Sequence, residues 1–267
     1  MKRLLIIAIA LVIIILPLSG CGNNDGNELV FGMELAYPPF ETTDESGKPD
    51  GISVRMAYAL GEYLGRPVRI ENMAWSGLIP ALTTGKVDIV LSSMTITEER
   101  AKTVNFSDPY AKSQLSLLIS SSSPVLEFND LKEDDRKLAV KKGTTGHTFA
   151  IANLPGSNIV VFDKETSCVL EVSQGNADAF VYDAYTIYKN SLQHPGTTRA
   201  LYEPFQEDYE YWGMALNKND TELLAQVNEF IAKYKADGKM NELANEYLGE
   251  IKKIFEDKGL SFFFDID

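Results

Sequence analysis

Twice along this chain, apolar runs of strand length alternate with segments whose apolar residues recur at helical spacing. No other feature restricts the fold as much. In the first round Leu29 to Met33 is strand-like, and Met56, Ala59, Leu60, Tyr63 and Leu64 then share a helical face that Gly65 and Pro67 close. Val68 to Met73 is the next strand, Leu78, Ile79 and Leu82 form a short helix ended by Gly85, and Asp88 to Leu91 is a third strand. The second round repeats the layout. Leu138 to Val140, Ile159 to Phe162 and Ala179 to Tyr182 are strands, separated by helices over His147 to Asn153 and Ser167 to Gln174. Such alternation predicts an α/β fold of mostly parallel sheets flanked by helices, with binding groups at the carboxyl ends of the strands. The halves share this layout without a short internal repeat.

Connections between the rounds are less regular. Leu115 to Ser120 reads as a strand that runs into Ser121, Ser122, Ser123 and Pro124, a composition break expected to mark the passage between two lobes. Tyr209 to Leu216 reads as one returning strand. Asn219 and Glu222 then cap a helix carrying Leu223, Val227, Phe230, Ile231 and Tyr234, and Met240 to Leu248 resumes helical after Gly238. The closing Phe262, Phe263 and Phe264 leave open whether this segment docks on the body.

The first residues set the compartment. Met1-Lys2-Arg3 precedes an apolar run from Leu4 to Leu16, then Leu18-Ser19-Gly20-Cys21, then a polar Asn/Gly/Asp leash over 21–27. This has the pattern of an export signal over 1–20, its apolar core too short for a comfortable membrane span, and Cys21 sits where a lipoprotein lipobox places the acylated cysteine. Processing there leaves Cys168 as the sole remaining cysteine, so stability must come from packing rather than a disulfide. The formal net charge is -13, and loss of Lys2 and Arg3 leaves 23 basic residues against 38 acidic ones. That balance excludes nucleic acid as a natural partner.

Candidate chemistry gathers at strand ends. The strand ending at Leu91 empties into Ser92, Ser93 and Thr95, with Arg100 one turn into a helix that opens near Thr97. Thr95 and Glu98 have capping-box spacing, and hydroxyls, free backbone N–H groups and a guanidinium together suit a small carboxylate. In the second round the Gly143-Thr144-Thr145-Gly146 loop and Asp183 occupy equivalent strand ends. A fixed cation facing a fixed carboxylate complements a zwitterion, for which a free α-amino acid is the simplest candidate. Two unrelated surface charges explain the same residues, and on these residues alone both readings stand.

Four segments add a resemblance. Gly32 to Phe40 with its Tyr37-Pro38-Pro39-Phe40, Leu78 to Leu82 followed by Gly85 to Asp88, Ser92 to Arg100, and Phe106 to Tyr110 are together similar to the extracellular solute-binding proteins of polar amino acid ABC importers. The third segment is the most specific. The likeness implies a two-lobed "Venus flytrap" of the periplasmic-binding-protein type 2 fold, with two hinge crossings, lobes over 28–116 plus 213–250 and over 117–212, and a tail over 251–267. It implies a monomer that closes over one free amino acid, passes it to a membrane permease, and is held outside the cytoplasm by its N-terminal lipid. By the same likeness Tyr37 is an aromatic wall, Ser93, Thr95 and Arg100 meet the ligand carboxylate, Thr145 adds a hydroxyl and N–H, and Asp183 holds the ammonium.

Glu34 stands where several relatives have a ligand-contacting Asp, and Lys141 where glutamine-binding relatives place a lysine. Ile52 takes the place of a second aromatic wall, Ser53 and Arg55 replace two acids, and Gly146 replaces a Gln of basic amino acid binders. Ser92, Thr144 and Trp75 complete the expected lining. No cofactor is implied, and His147, His194 and Cys168 lack metal-ligand spacing. Two alternatives remain. One is a cleft enzyme resembling cyclohexadienyl or arogenate dehydratases, with Glu34 as its acid. The other is a sensory ectodomain, which predicts a membrane span after the lobes; with none in the sequence, only presentation to a separate receptor survives.

Overall fold

The computed structural model describes residues 27–206 and 208–266. The expected signal segment, Cys21 and most of the leash lie outside these residues. Two five-stranded sheets form the frame. The first runs in the order Val68–Asn72, Leu29–Met33, Ile89–Val90, Ala215–Asn217, Val104–Phe106. Leu29–Met33 is parallel to both neighbours, while Ala215–Asn217 returns antiparallel to both of its own. The second runs Ile159–Phe162, Leu138–Lys141, Ala179–Asp183, Leu115–Ser120, Thr198–Leu201. Its first three strands are parallel, and Leu115–Ser120 is antiparallel to Ala179–Asp183 and Thr198–Leu201. All six residues of Leu115–Ser120 are buried, as a strand covered on both faces requires.

Each lobe has its own core. In the first, the helix Ile52–Leu64 lays Ile52, Met56 and Leu60 against Phe31, Met33 and Phe40. The helix Thr221–Ala236 adds Val227, Phe230 and Ile231 to the same core. In the second, Leu117, Ile119, Leu138, Val140 and Val181 pack beneath Ala150 and Leu154. Among the described residues no helix is long and apolar enough to cross a membrane.

The crossings differ from the expectation. Ala111–Ser113 pairs antiparallel with Glu210–Trp212, and this two-stranded ladder lies between the sheets, so the chain has already left the first lobe before Leu115. Ser121 to Pro124 is instead a turn inside the second lobe, where the Ser123 hydroxyl donates to Asp178 (2.5 Å) and Ser120 and Ser122 pair through their hydroxyls (3.0 Å). Serines there satisfy a tight turn rather than loosen a linker. The returning strand is likewise broken into Glu210–Trp212 and Ala215–Asn217. Gly213 lies between them, where an added Cβ would stand 2.9 Å from Ile96 Cδ1 and 3.2 Å from Ser107 O. The helix after it is capped by Asp220, not Asn219, through a bond from Leu223 N–H (3.1 Å).

The C-terminal segment is docked. After the helix Ile251–Asp257, Leu260, Phe262 and Phe263 turn back into the first-lobe core. Phe263 is 1% exposed, its ring 4.9 Å from Phe40, 5.3 Å from Trp212 and 6.2 Å from Tyr185 between centroids. Its carbonyl accepts the Lys112 N–H (2.7 Å), so the segment meets the first lobe, the hinge ladder and a second-lobe helix at one point.

Candidate functional site

Between the sheets lies a small cavity, partly open to solvent. Its lining includes Glu34, Tyr37, Trp75, Ser92, Ser93, Thr95 and Arg100 from the first lobe and Thr144, Thr145 and Asp183 from the second. Sequence-predicted residues from both halves therefore share one space. Four carboxyl groups, on Glu34, Glu41, Asp183 and Glu210, line it together with the Arg100 guanidinium.

Arg100 is held by local chemistry. The helix Glu98–Ala101 begins at Thr97, whose hydroxyl accepts from Arg100 N–H (3.2 Å). Thr97 is thus the cap, and the Thr95–Glu98 capping box expected from spacing does not form because Thr95 is engaged elsewhere. Arg100 Nη1 donates to the Thr95 carbonyl (2.6 Å), Nη2 reaches the Gly143 carbonyl of the other lobe (3.1 Å), and the guanidinium lies 5.3 Å from the Trp75 ring centroid. Burial lowers its pKa from the ordinary arginine value, and the Glu210 charge opposes that shift.

Asp183 ends the strand Ala179–Asp183 and caps the helix that follows, with Oδ1 accepting from Thr186 N–H (3.0 Å). Its buried Oδ2 makes no hydrogen bond of good geometry, but the Tyr37 and Thr186 hydroxyls lie close enough to the carboxyl to stabilise its charge. Burial pushes the Asp183 carboxyl above the usual carboxylate range, against the opposing pull of the Thr186 and Tyr37 bonds and the Lys189 charge. Burial likewise pushes the Tyr37 phenol up, with the Asp183 charge adding to it. Tyr37 stacks on Phe40 with centroids 5.2 Å apart.

Several expected contacts are already engaged within the protein. The Ser92 hydroxyl accepts from Glu34 N–H (3.0 Å), and the Thr144 hydroxyl donates to the Lys141 carbonyl (2.8 Å). Glu34 accepts from Trp75 N–H (3.3 Å) and pairs with Lys141, whose ammonium is buried over the Trp75 and Tyr182 rings. Ser93 has φ +50°, uncommon for a residue with a side chain, and this turn aims its hydroxyl at Glu41 Oε1 (2.9 Å) and Oε2 (3.2 Å). Ile52 is not on the cavity. It is the first residue of its helix and fully buried among Phe31, Phe40 and Met56, so the expected second wall is a core residue.

The lining also holds residues that the sequence did not single out: Glu41, Tyr182, Glu210 and Trp212. Glu41 is 0% exposed, bonded to Ser53 and Ser93, and burial raises its pKa from 4.5 to about 8. Its signal was an acid directly after the apolar turn Tyr37-Pro38-Pro39-Phe40. Glu210 Oε2 accepts from the hydroxyls of Thr95 (3.1 Å) and Thr145 (2.9 Å), and burial raises its pKa while those bonds and Arg100 lower it. Its signal was a lone acid among Tyr209, Tyr211 and Trp212.

Comparison with known proteins identifies the family. Residues 29–250 match the family described as "Bacterial extracellular solute-binding proteins, family 3". The chain is 30% identical over 257 residues to the L-arginine-binding protein of Pseudomonas aeruginosa, covering 92% of this chain and 96% of that one. It is 28% identical over 223 residues to the L-cystine-binding protein TcyJ of Escherichia coli K12, covering 83% and 82%. Among solved structures, an ancestral arginine-binding protein bound to glutamine aligns with a TM-score of 0.76 at 32% identity, covering 84% of this chain and 99% of that one. The ancestral amino acid-binding protein AncCDT-1, a precursor of cyclohexadienyl dehydratase, aligns at 0.75 and 35%, covering 84% and 96%. With its two sheets, its hinge ladder and a family match over most of its length, this chain belongs to the bacterial extracellular solute-binding proteins of family 3.

Proposed function

We propose that this protein binds one free polar α-amino acid between its lobes by hinge closure and delivers it to an ABC permease, acting as a binder rather than an enzyme. One observation carries the reading: Arg100 and Asp183 line a single cavity from opposite lobes. Arg100, Thr95 and Thr145 take the ligand carboxylate, as a charge-assisted fork with two hydroxyls. Asp183 takes the ammonium, and Tyr37 and Trp75 form walls. The relatives named for arginine, cystine and glutamine support an amino acid without selecting one. Acylation at Cys21 would keep this monomer beside the permease on the outer face of the membrane.

A screen of the twenty amino acids by thermal denaturation tests the reading, since a ligand of the native state raises the melting temperature by mass action. At least one strong shift is expected, and Arg100→Ala removes it. No shift from any amino acid would sink the proposal. The dehydratase alternative is weaker, because Glu34, the acid it needs, is engaged by Trp75 and Lys141. Prephenate or arogenate losing its ring hydroxyl and carboxylate on incubation would reinstate it.

A further inference from the structure

The hydroxyls assigned above to the ligand carboxylate already hold one. Glu210 begins Glu210–Trp212, the returning strand of the hinge ladder, where it sits opposite Ser113. Its Oε2 accepts from Thr95 Oγ1 of the first lobe (3.1 Å) and Thr145 Oγ1 of the second (2.9 Å), with the Arg100 charge acting on the same group. A carboxylate from the hinge thereby clasps both lobes through two donors and a cation.

Position adds a second observation. A wider and more open outer cleft adjoins the inner cavity, and the two linings have Thr95, Thr145 and Glu210 in common. These three residues are therefore in reach of both spaces.

We infer that Glu210 is a specificity-determining gate: it stands in for the ligand carboxylate on Thr95 and Thr145, and yields only to a carboxylate that also brings a cation for Asp183. The inference rests on the amino acid reading of the site. A ligand shifts an equilibrium only by its difference in affinity for the two states. A bare carboxylate exchanged for Glu210 replaces one anion by another on the same donors and gains little. An α-amino acid gains the ammonium contact to Asp183 in addition, so the gate favours amino acids over simple acids of the same shape.

Calorimetric titration of wild type, Glu210→Ala and Glu210→Gln tests this. The probes are L-arginine, L-glutamine and L-histidine, with the amine-lacking acids 5-guanidinopentanoate and 4-carbamoylbutanoate. Glu210→Ala should bind at least one of the three amino acids on the order of tenfold more tightly than wild type and acquire binding of an amine-lacking acid. Glu210→Gln, equal in shape and still an acceptor but uncharged, should fall between, and it carries the test if the alanine variant does not fold. Amino acid binding that is unchanged or weaker in both variants overturns the gate and leaves the amino acid site standing. Absence of binding by wild type and variants alike, extended to all twenty amino acids, overturns the amino acid reading as well, which tells the two failures apart.

Discussion

Glu34 and Lys141, 107 positions apart, form an ion pair that joins the two lobes across the cleft. The lysine side chain is 4% exposed and the glutamate 16%, so water screens the pair poorly. Removing one partner of such a pair leaves an uncompensated charge and costs about 3–5 kcal/mol, whereas replacing both can be nearly neutral. Lys141→Met should therefore lower the melting temperature by roughly 10 °C, on a scale of about 2–4 °C per kcal/mol for a chain of this size. The double variant Glu34→Gln with Lys141→Met should recover much of that loss. Calorimetric scans that show the single variant melting with wild type would rule out a stabilising pair.

Arg100 and Asp183 differ from this pair in having unspent binding capacity. Asp183→Asn keeps the Oδ1 cap on Thr186 but removes the charge. It should weaken amino acid binding by about a hundredfold, the scale of one lost charge-assisted contact. Arg100→Lys should weaken it too, because an ammonium cannot reproduce the planar fork. Melting temperatures without added amino acid should change little, and full retention of affinity in both variants would contradict the assignment.

Glu41 predicts a pH dependence with a definite sign. Its carboxyl is raised from 4.5 to about 8 by burial, so between those values the folded chain holds a proton that the unfolded chain has released. Stability from this group is fully present below about pH 4.5 and is lost as pH rises through about 8. Asp183 and Glu210 are also raised and contribute in the same direction. Glu41→Gln, which keeps the shape and cannot ionise, should flatten part of the fall in melting temperature between pH 5 and pH 8. Parallel curves for wild type and Glu41→Gln would refute the raised carboxyl.

The alternation of strand and helix was legible because parallel strands buried on both faces must be apolar runs and their covering helices must be amphipathic. Arg100, Thr145 and Asp183 were legible as strand-end and first-turn residues, a position the α/β layout makes chemically special. Glu41 and Glu210 were not, because what makes them unusual is burial, which arises only when segments 52 and 115 positions away in sequence close over them. Ile52 misled for a related reason. Its register with relatives suggested a wall, but a residue at the start of a helix whose neighbours are Phe31 and Phe40 is taken up by the core. The serine run at 121–123 carried the composition of a linker while performing the work of a turn.

Phe263 offers a test of the docked C-terminal segment. The ring is 1% exposed and packed on Phe40, which in turn stacks on the cavity wall Tyr37. Phe263→Ala should cost about 3–5 kcal/mol, the usual range for deleting a buried ring. A melting temperature within a degree or two of wild type would show that the segment is not held as described.

Cys168 should be chemically silent in the native state. It is fully buried, and burial pushes its thiol up to about 12, so little thiolate exists near neutral pH. A thiol reagent at pH 8 should react only after denaturant is added, and rapid reaction of the folded protein would contradict this burial.

The two sheets recruit their strands differently, and translation reads the chain in one direction. Every strand of the second sheet lies within residues 115–201, so a nascent chain that has reached Leu201 holds all of them. The first sheet begins earlier but lacks Ala215–Asn217, and Phe40 waits longer still for Phe263. The lobe that starts first therefore finishes last, with Val104–Phe106 and one edge of Ile89–Val90 left unpaired until Ala215–Asn217 emerges.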